Sequence, residues 1–457
     1  MNIVILAAGQ GKRMNSILPK VLHPLAGKPM LGHVLDTVMT MGHELKPCLV
    51  LGHGQSQVEE FLEKKQYPTS IAIQEEQKGT GHAVLQAMPY VSDDETTLIL
   101  YGDVPLIQVQ TLQSLLRLAQ DGAFVILTQE LEDPTGYGRI LRNLESEVIG
   151  IVEEKDASPE VKQIREINTG IIACSTQDLK KWLNQLEPNN AQGEYYLTDI
   201  VGLAAKQGVP IRTIHPQFGF EVEGVNSRGQ LAQLERVWQG HLTKQLLIQG
   251  VTLLDPARID IRGNFTCAND VMIDVGCIFE GDVEIASGVT IGPYCVIKDS
   301  KIGAQTQIKA FSHLEGAVIE EMAIIGPYAR IRPGTNIGKQ AHVGNFVEVK
   351  NSNIGQGSKA NHLSYVGDAD VGEQVNIGAG TITCNYDGVN KHRTTIEDHV
   401  FIGSDTQLVA PVTVGKGATI GAGTTLTKDA PAGKLTISRA KQLSVDWKRP
   451  LKSTPKD

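Results

Sequence analysis

Aromatic side chains are scarce in this chain: phenylalanine, tryptophan and tyrosine together make up 5% of its 457 residues. A core filled with so few rings must be largely aliphatic, and the 47 glycines point to many tight backbone corners. Paired cysteines are missing too. Cys48, Cys174, Cys267, Cys277, Cys295 and Cys384 are scattered, with no C-x-x-C pair. That excludes a zinc ribbon and a disulfide framework, and reads as reduced thiols in a cytoplasm. No apolar run approaches the ~20 residues of a membrane span, so membrane insertion is not expected. The opening MNIVILAAG has no basic lead and runs straight into a motif, so it reads as a strand rather than a signal peptide. Positive charge is in deficit: a net charge of −9 argues against a general nucleic-acid binder.

What the second half has is a period of six. Ile273, Phe279, Ile285, Ile291 and Ile297 fall on it, as do Ile325, Ile331, Ile337, Val343 and Val349, and again Ile402, Leu408, Val414, Ile420 and Leu426. Many are followed at once by glycine, as in Ile291-Gly292, Val343-Gly344 and Ile402-Gly403. This is the pattern of a hexapeptide parallel β-helix, with the aliphatic residue inward and glycine permitting a tight or positive-φ corner. The repeat is lost between Ile382 and Ile402, over TCNYDGVNKHRTTIEDH. An insertion in a solenoid maps to a loop on one face, often the binding face. The first half reads differently. Apolar runs such as IVILAA (3–8), PCLVLG (47–52) and TTLILYGDVPLI (96–107) alternate with helical patterns, predicting an α/β domain with a mostly parallel sheet. Ser227 is a candidate N-cap, and Leu231, Leu234, Val237, Leu242 and Leu246 recur at mostly helical spacing up to Gly250. The organisation predicted is therefore 1–228, a linker helix over 229–249, and a β-helix over 250–457. A basic tail follows Ser438, with Arg439, Lys441, Lys448, Arg449, Lys452 and Lys456.

The first strand leads into Leu6-Ala7-Ala8-Gly9-Gln10-Gly11-Lys12-Arg13-Met14, then Pro19-Lys20. The third glycine of a dinucleotide fingerprint is absent, and so is the Gly-Lys-Ser/Thr of a Walker A loop. Gly9 and Gly11 still let backbone N–H groups approach phosphate oxygens, and Lys12, Arg13 and Lys20 bring positive charge there. Asp103 follows the apolar strand LILY, at the end where ligands bind in open α/β sheets. A carboxylate beside polyphosphate suits Mg²⁺, which takes one or two protein oxygens plus phosphates and waters. Between them, Gln74 and the Gly79-Thr80-Gly81 turn could read a base edge.

The pattern L-x-x-G-x-G-x-R-M followed by P-K resembles the signature of sugar-1-phosphate nucleotidylyltransferases. With YGDVPLI, NNAQGEYYLTDI, AHVGNF, NIGAGTITCNYDG and FIGSDTQLVAPVTVGKGA, the whole chain resembles the bacterial bifunctional enzymes of UDP-N-acetylglucosamine synthesis. These join an N-acetylglucosamine-1-phosphate uridylyltransferase to a glucosamine-1-phosphate N-acetyltransferase. The resemblance implies a Rossmann-like α/β nucleotidylyltransferase domain, a linker helix and a left-handed parallel β-helix that assembles as a homotrimer in the cytoplasm. It implies acetyl transfer from acetyl-CoA first and uridylyl transfer from UTP second, supplying peptidoglycan and lipopolysaccharide precursors. In the first domain it implies that Leu6, Ala7, Ala8 and Gly9 line the nucleotide site and that Arg13 and Lys20 face the phosphates. Gln74, Gly79 and Thr80 would hold uracil, and Gly138, Glu153, Asn168 and Asn226 the UDP-sugar. Asp103 and Asn226 would be the Mg²⁺ ligands.

In the β-helix, the polar residues off the repeat are Arg332, Lys350, His362, Tyr365, Asn376, Asn385 and Tyr386. Acetyl transfer to an amine that arrives as an ammonium calls for a base near neutral pH, and histidine is the natural choice. The resemblance makes His362 that base, with Glu348 to orient its ring. It implies that Arg332 and Lys350 hold the sugar phosphate, with Tyr365 and Asn376 on the sugar. Ala379, Asn385, Tyr386, Ser404, Ala422 and Arg439 match acetyl-CoA contacts. Three other readings stay open on the residues alone: a nucleotidylyltransferase whose β-helix only oligomerises, a non-enzymatic β-helix scaffold, and a zinc site begun by His342 and His362. Cys384 is the candidate nucleophile by type should transfer be two-step.

Overall fold

The computed structural model describes residues 1–449; Lys452 and Lys456 lie outside the described residues. The chain divides into two compact units, Met1–Gly240 and His241–Asp457.

The first unit is built on one sheet. Its strands are β1 (Asn2–Leu6), β2 (Cys48–Leu51), β3 (Ser70–Ile73), β4 (Thr96–Tyr101), β5 (Phe124–Glu130), β6 (Arg139–Arg142), β7 (Val148–Val152), β8 (Glu166–Ser175) and β9 (Ile211–Ile214). The order is β9-β5-β8-β4-β1-β2-β3, with the β6–β7 hairpin pairing onto β8. β4, β1, β2 and β3 run parallel, whereas β8 is antiparallel to both neighbours. The continuous apolar runs are explained by cores on both faces. In β1, Ile3 and Ile5 enter one core and Val4 and Leu6 the other; in β4, Leu98 and Leu100 part from Ile99 in the same way. The parallel strands thus end together at Leu6, Leu51, Ile73 and Tyr101, and the residues that follow them form one rim.

The linker helix runs Arg228–Ile248, one residue earlier at each end than the spacing predicts. Ser227 caps it, accepting from the Gln230 N–H at 3.2 Å. Leu234 is buried with Leu25, Met30, Leu106 and Val225 of the first unit, and Leu246 belongs to the core of the second.

The second unit is a parallel β-helix. Ile273, Phe279 and Ile285 point inward in succession, and the next hexad residue, Ile291, pairs in register with Ile273. Three hexads therefore make one coil, and Ile291 pairs on to Ile308 and Ile308 to Ile325. The glycines after the aliphatic residues serve mainly close approach rather than positive φ. A Cβ on Gly344 would lie 2.1 Å from the Asn361 carbonyl of the next coil. Positive φ falls instead on larger residues, including Tyr294, Phe311, Tyr328, Phe346 and Leu363. The interruption is also shorter than the sequence predicts. Thr394–Ile396 is a regular strand paired to Ala369–Val371 and Val412–Val414, so the excursion is confined to 385–393. All six cysteines are free thiols, and among the described residues no helix is long and apolar enough to cross a membrane.

Candidate active sites

The rim of the first unit holds a cleft of about 280 Å³ lined by Leu6, Ala7, Ala8, Gly9, Lys20, Gln74, Gly79, Thr80, Tyr101 and Asp103, with Gln77 and Glu194 among the rest. These residues follow the carboxyl ends of β1, β3 and β4 or face them. The backbone of the turn 78–81 is fixed from across the cleft: the Tyr195 N–H donates to the Lys78 carbonyl at 2.8 Å, and the Gly81 N–H to the Tyr195 carbonyl at 2.8 Å. The buried Gln74 amide donates to the Gly79 carbonyl at 3.1 Å.

Lys20 is the centre of the charged end. Its ammonium donates to the Asp103 carboxylate and to Asn226 Oδ1 at 3.1 Å. The Val225 N–H donates to the Asp103 carbonyl at 2.9 Å, which ties the 221–226 loop to the end of β4. Gly11 makes the approach of Lys20 feasible: its φ is +60, and a Cβ there would fall 2.8 Å from the Lys20 Cβ. Arg13 is exposed and has no ion pair among the described residues, so its guanidinium is available to a ligand. Among the described residues no group of three or more His, Cys, Asp or Glu side chains is placed to hold a metal ion by itself. A carboxylate and an amide oxygen converging on one cation nonetheless suit a hard divalent ion that keeps phosphate and water ligands.

The sugar-side candidates adjoin this cleft. β8 bulges between Asn168 and Ile172, where its register on β5 shifts. The Asn168 N–H donates to the Gly138 carbonyl at 2.8 Å. Glu153 accepts from the Thr198 hydroxyl at 3.0 Å. Burial raises the Glu153 carboxyl above its ordinary value, the Thr198 hydrogen bond opposes this, and Asp199 and Asp156 add to the rise. Tyr101 lines both this side and the cleft at the rim. Its phenol is pushed up by burial and by the charges of Glu153 and Asp103. Tyr101, Gln77 and Glu194 are additions to the residues read from sequence. Only the position of Tyr101, beside the Gly102-Asp103 turn, could have flagged it.

In the second unit, Arg332 and Lys350 stand on successive coils. Arg332 donates to Glu348 Oε1 at 2.8 Å, so Glu348 is engaged by Arg332 and not by the His362 ring. Lys350 lies 3.9 Å from the buried Asp368 carboxylate. Asp368 also accepts from Asn351 at 2.6 Å and from Asn385. Burial works to raise this carboxyl, but the two amides and the Lys350 and Lys391 charges outweigh it, so it sits below its ordinary value. Lys391, on the excursion, is lowered chiefly by the Lys350 ammonium that faces it. It completes a cationic cluster that the sequence reading missed, because nothing in the NYDG stretch says that its loop folds back. Asn385 Nδ2 reaches the Tyr365 hydroxyl at 3.4 Å. The Tyr365 ring lies over Gly367, where a Cβ would meet its hydroxyl at 2.3 Å.

Ala379, Ser404 and Ala422 occupy the same corner of successive coils: the Asp405 N–H donates to the Ala379 carbonyl at 2.7 Å and the Gly423 N–H to the Ser404 carbonyl at 2.9 Å. Arg439 donates to the Ala422 carbonyl at 2.8 Å, ending the line. Tyr386 is exposed on the excursion, its hydroxyl donating to the Gly388 carbonyl at 2.6 Å. His362 and Asn376 are on the strands Lys359–His362 and Asn376–Ile377, which belong to a different sheet from the strands Glu348–Lys350 and Tyr365–Gly367. The His362 ring is exposed and makes no hydrogen bond or ion pair among the described residues. Arg332, Lys350, Tyr365 and Asn385 stand on neighbouring coils, linked through Glu348 and Asp368, and no hydrogen bond among the described residues joins the His362 ring to them.

Residues 3–160 match the family model of the MobA-like NTP transferase domain, and 316–351 and 393–428 match the bacterial transferase hexapeptide. The bifunctional protein GlmU of Herminiimonas arsenicoxydans is 60% identical over 456 residues, covering 99% of each chain. That of Azoarcus sp. (strain BH72) is 59% identical, covering 99% of this chain and 100% of the relative. Among solved structures, UDP-glucose pyrophosphorylase complexed with UDP-glucose matches 52% of this chain and 97% of its own, at 20% identity and a TM-score of 0.43. Matched at about this identity from end to end, the chain belongs to the family of bifunctional GlmU proteins, and is a transferase that joins a nucleotidyltransferase unit to a hexapeptide-repeat acyltransferase unit.

Proposed function

We propose that the chain makes UDP-N-acetylglucosamine in two steps, with acetyl transfer to glucosamine-1-phosphate in 250–457 and uridylyl transfer from UTP in 1–228, linked by 229–249. The observation that carries the reading is the convergence of Lys20, Asp103 and Asn226 at the strand ends, beside a glycine loop and an amide-lined turn. In uridylyl transfer, Leu6–Gly9 bound the nucleotide, and Gln74, Gly79 and Thr80 take the uracil edge. Arg13 and Lys20 neutralise the triphosphate, while Gly138, Glu153, Asn168 and Asn226 orient the sugar. The sugar-phosphate oxygen attacks the α-phosphorus in line, the P–O bond to pyrophosphate breaks, and no covalent enzyme intermediate is needed. Asp103 and Asn226 would hold Mg²⁺, which when bound supplies Lewis acidity to the phosphoryl oxygens.

In acetyl transfer, Arg332 and Lys350, joined by Lys391, bind the sugar phosphate, and Tyr365 and Asn376 the sugar. Ala379, Asn385, Tyr386, Ser404, Ala422 and Arg439 carry acetyl-CoA, with Glu348 held by Arg332. The amine attacks the thioester carbonyl, the C–N bond forms, the C–S bond breaks, and His362 takes the amine proton and passes it to the leaving thiolate. The hexapeptide repeats support a homotrimer through the β-helix. The six free thiols support a cytoplasmic enzyme. The test is a coupled assay with glucosamine-1-phosphate, acetyl-CoA, UTP and Mg²⁺. UDP-N-acetylglucosamine and pyrophosphate are expected; folded protein that yields neither overturns the reading.

A further inference from the structure

The ammonium of Lys20 stands where the two candidate metal ligands converge. It holds the Asp103 carboxylate and the Asn226 amide oxygen together, and both charged side chains are largely buried, at 11% and 18% exposure. The backbone beneath it is wedged. Val21 and Leu22 are buried, and a Cβ on Gly54 would press 2.5 Å from Pro19. Lys20 can therefore leave this position by turning its side chain alone. We infer that Lys20 is a resident counter-ion that keeps divalent metal out of the nucleotide-free site, and that polyphosphate admits the metal by drawing the ammonium away. A hard dication needs the same oxygens that the ammonium occupies, and the two positive charges repel at such range. The triphosphate offers Lys20 a stronger anionic partner in the same cleft, beside the exposed Arg13. Metal and nucleotide then bind with positive coupling, each raising the affinity for the other.

The inference rests on the assignment of Asp103 and Asn226 as metal ligands, and the test separates the two. Binding of Mn²⁺, a spectroscopically visible probe with the same preference for oxygen ligands, is measured on the full chain by electron paramagnetic resonance, with and without UTP. Wild type is expected to bind Mn²⁺ weakly until UTP is added. Lys20→Met is expected to bind Mn²⁺ at least about tenfold more tightly than wild type without nucleotide, and the double variant Lys20→Met/Asp103→Asn is expected to lose that gain. Equal Mn²⁺ affinity of wild type and Lys20→Met without UTP overturns the inference. Should Asp103→Asn also leave Mn²⁺ binding in the presence of UTP unchanged, the ligand assignment itself falls. Circular dichroism checks folding, and Lys20→Gln carries the same measurement if Lys20→Met does not fold.

Discussion

The proposed function places the two half-reactions on different side chains, Asp103 and His362. Asp103 lies two residues past the end of β4, locked by the Val225 N–H and by Lys20. Asp103→Ala is expected to lower uridylyl transfer by at least about 10²-fold, the scale of losing one preorganised charge contact, and to leave acetyl transfer intact; the half-reactions assayed separately decide it. His362→Ala is expected to do the reverse, cutting acetyl transfer by roughly 10²–10⁴. That deficit should shrink at alkaline pH, where more of the substrate amine is already deprotonated. A deficit that does not change with pH would assign His362 to positioning. Glu153 makes a stability prediction. Its carboxyl is raised in the fold by burial and by Asp199 and Asp156, against the Thr198 hydrogen bond. The folded state therefore binds this proton more tightly than the unfolded chain. Stability is lost as pH rises from the ordinary carboxyl value through the higher folded value, and the cost is complete above it. Glu153→Gln should raise the melting temperature of the first unit near pH 7, with the gain fading toward pH 4. A gain of equal size at both pH values would mean that charge is not the cause.

At the scale of elements, the solenoid depends on how closely its coils approach. Gly344→Ala places a methyl 2.1 Å from the Asn361 carbonyl, and the coils must part to admit it. The expected loss is roughly 1–3 kcal/mol, as for overpacking, read as a lower thermal transition of the second unit while the first keeps its own. An unchanged transition would show that the coils yield at little cost. The hexad was legible because every coil repeats the same demand: Ile273, Ile291, Ile308 and Ile325 face one core position after another. The parallel sheet was legible because two cores ask for unbroken apolar strands. The places of the glycine loop and of Asp103 were legible because both follow strand ends. What escaped is what depends on return of the chain from far away. Tyr195 bracing 78–81, Gln77 donating to the Ala8 carbonyl at 2.7 Å and Lys391 facing Lys350 have no local signature. The limits of the excursion were overdrawn because TTI at 394–396 is a hexad strand whose register only the neighbouring coils reveal.

For the whole molecule, the two units have separate cores, so the two activities should be separable, but the cut matters. Leu234 is buried against Leu25, Met30, Leu106 and Val225, with Leu231 and Trp238 packed over them. A fragment 1–240 is expected to convert N-acetylglucosamine-1-phosphate and UTP at near the full-length rate. A fragment 1–228 should melt earlier, because it strips that cover. A folded 1–240 without activity would mean that the second unit supplies part of the first site. The excursion at 385–393 has a further consequence. The strands on either side of it keep their partners in the coils before and after, Ile382–Cys384 with Gln407–Val409 and Ala369–Val371 with Thr394–Ile396. Extra chain is thus spent outward and never accumulates along the axis. The stack works as a ruler graduated at about 4.8 Å per coil: Ala379, Ser404 and Ala422 mark three consecutive divisions, and a long cofactor laid against them is measured in whole coils, whatever the loops between them do.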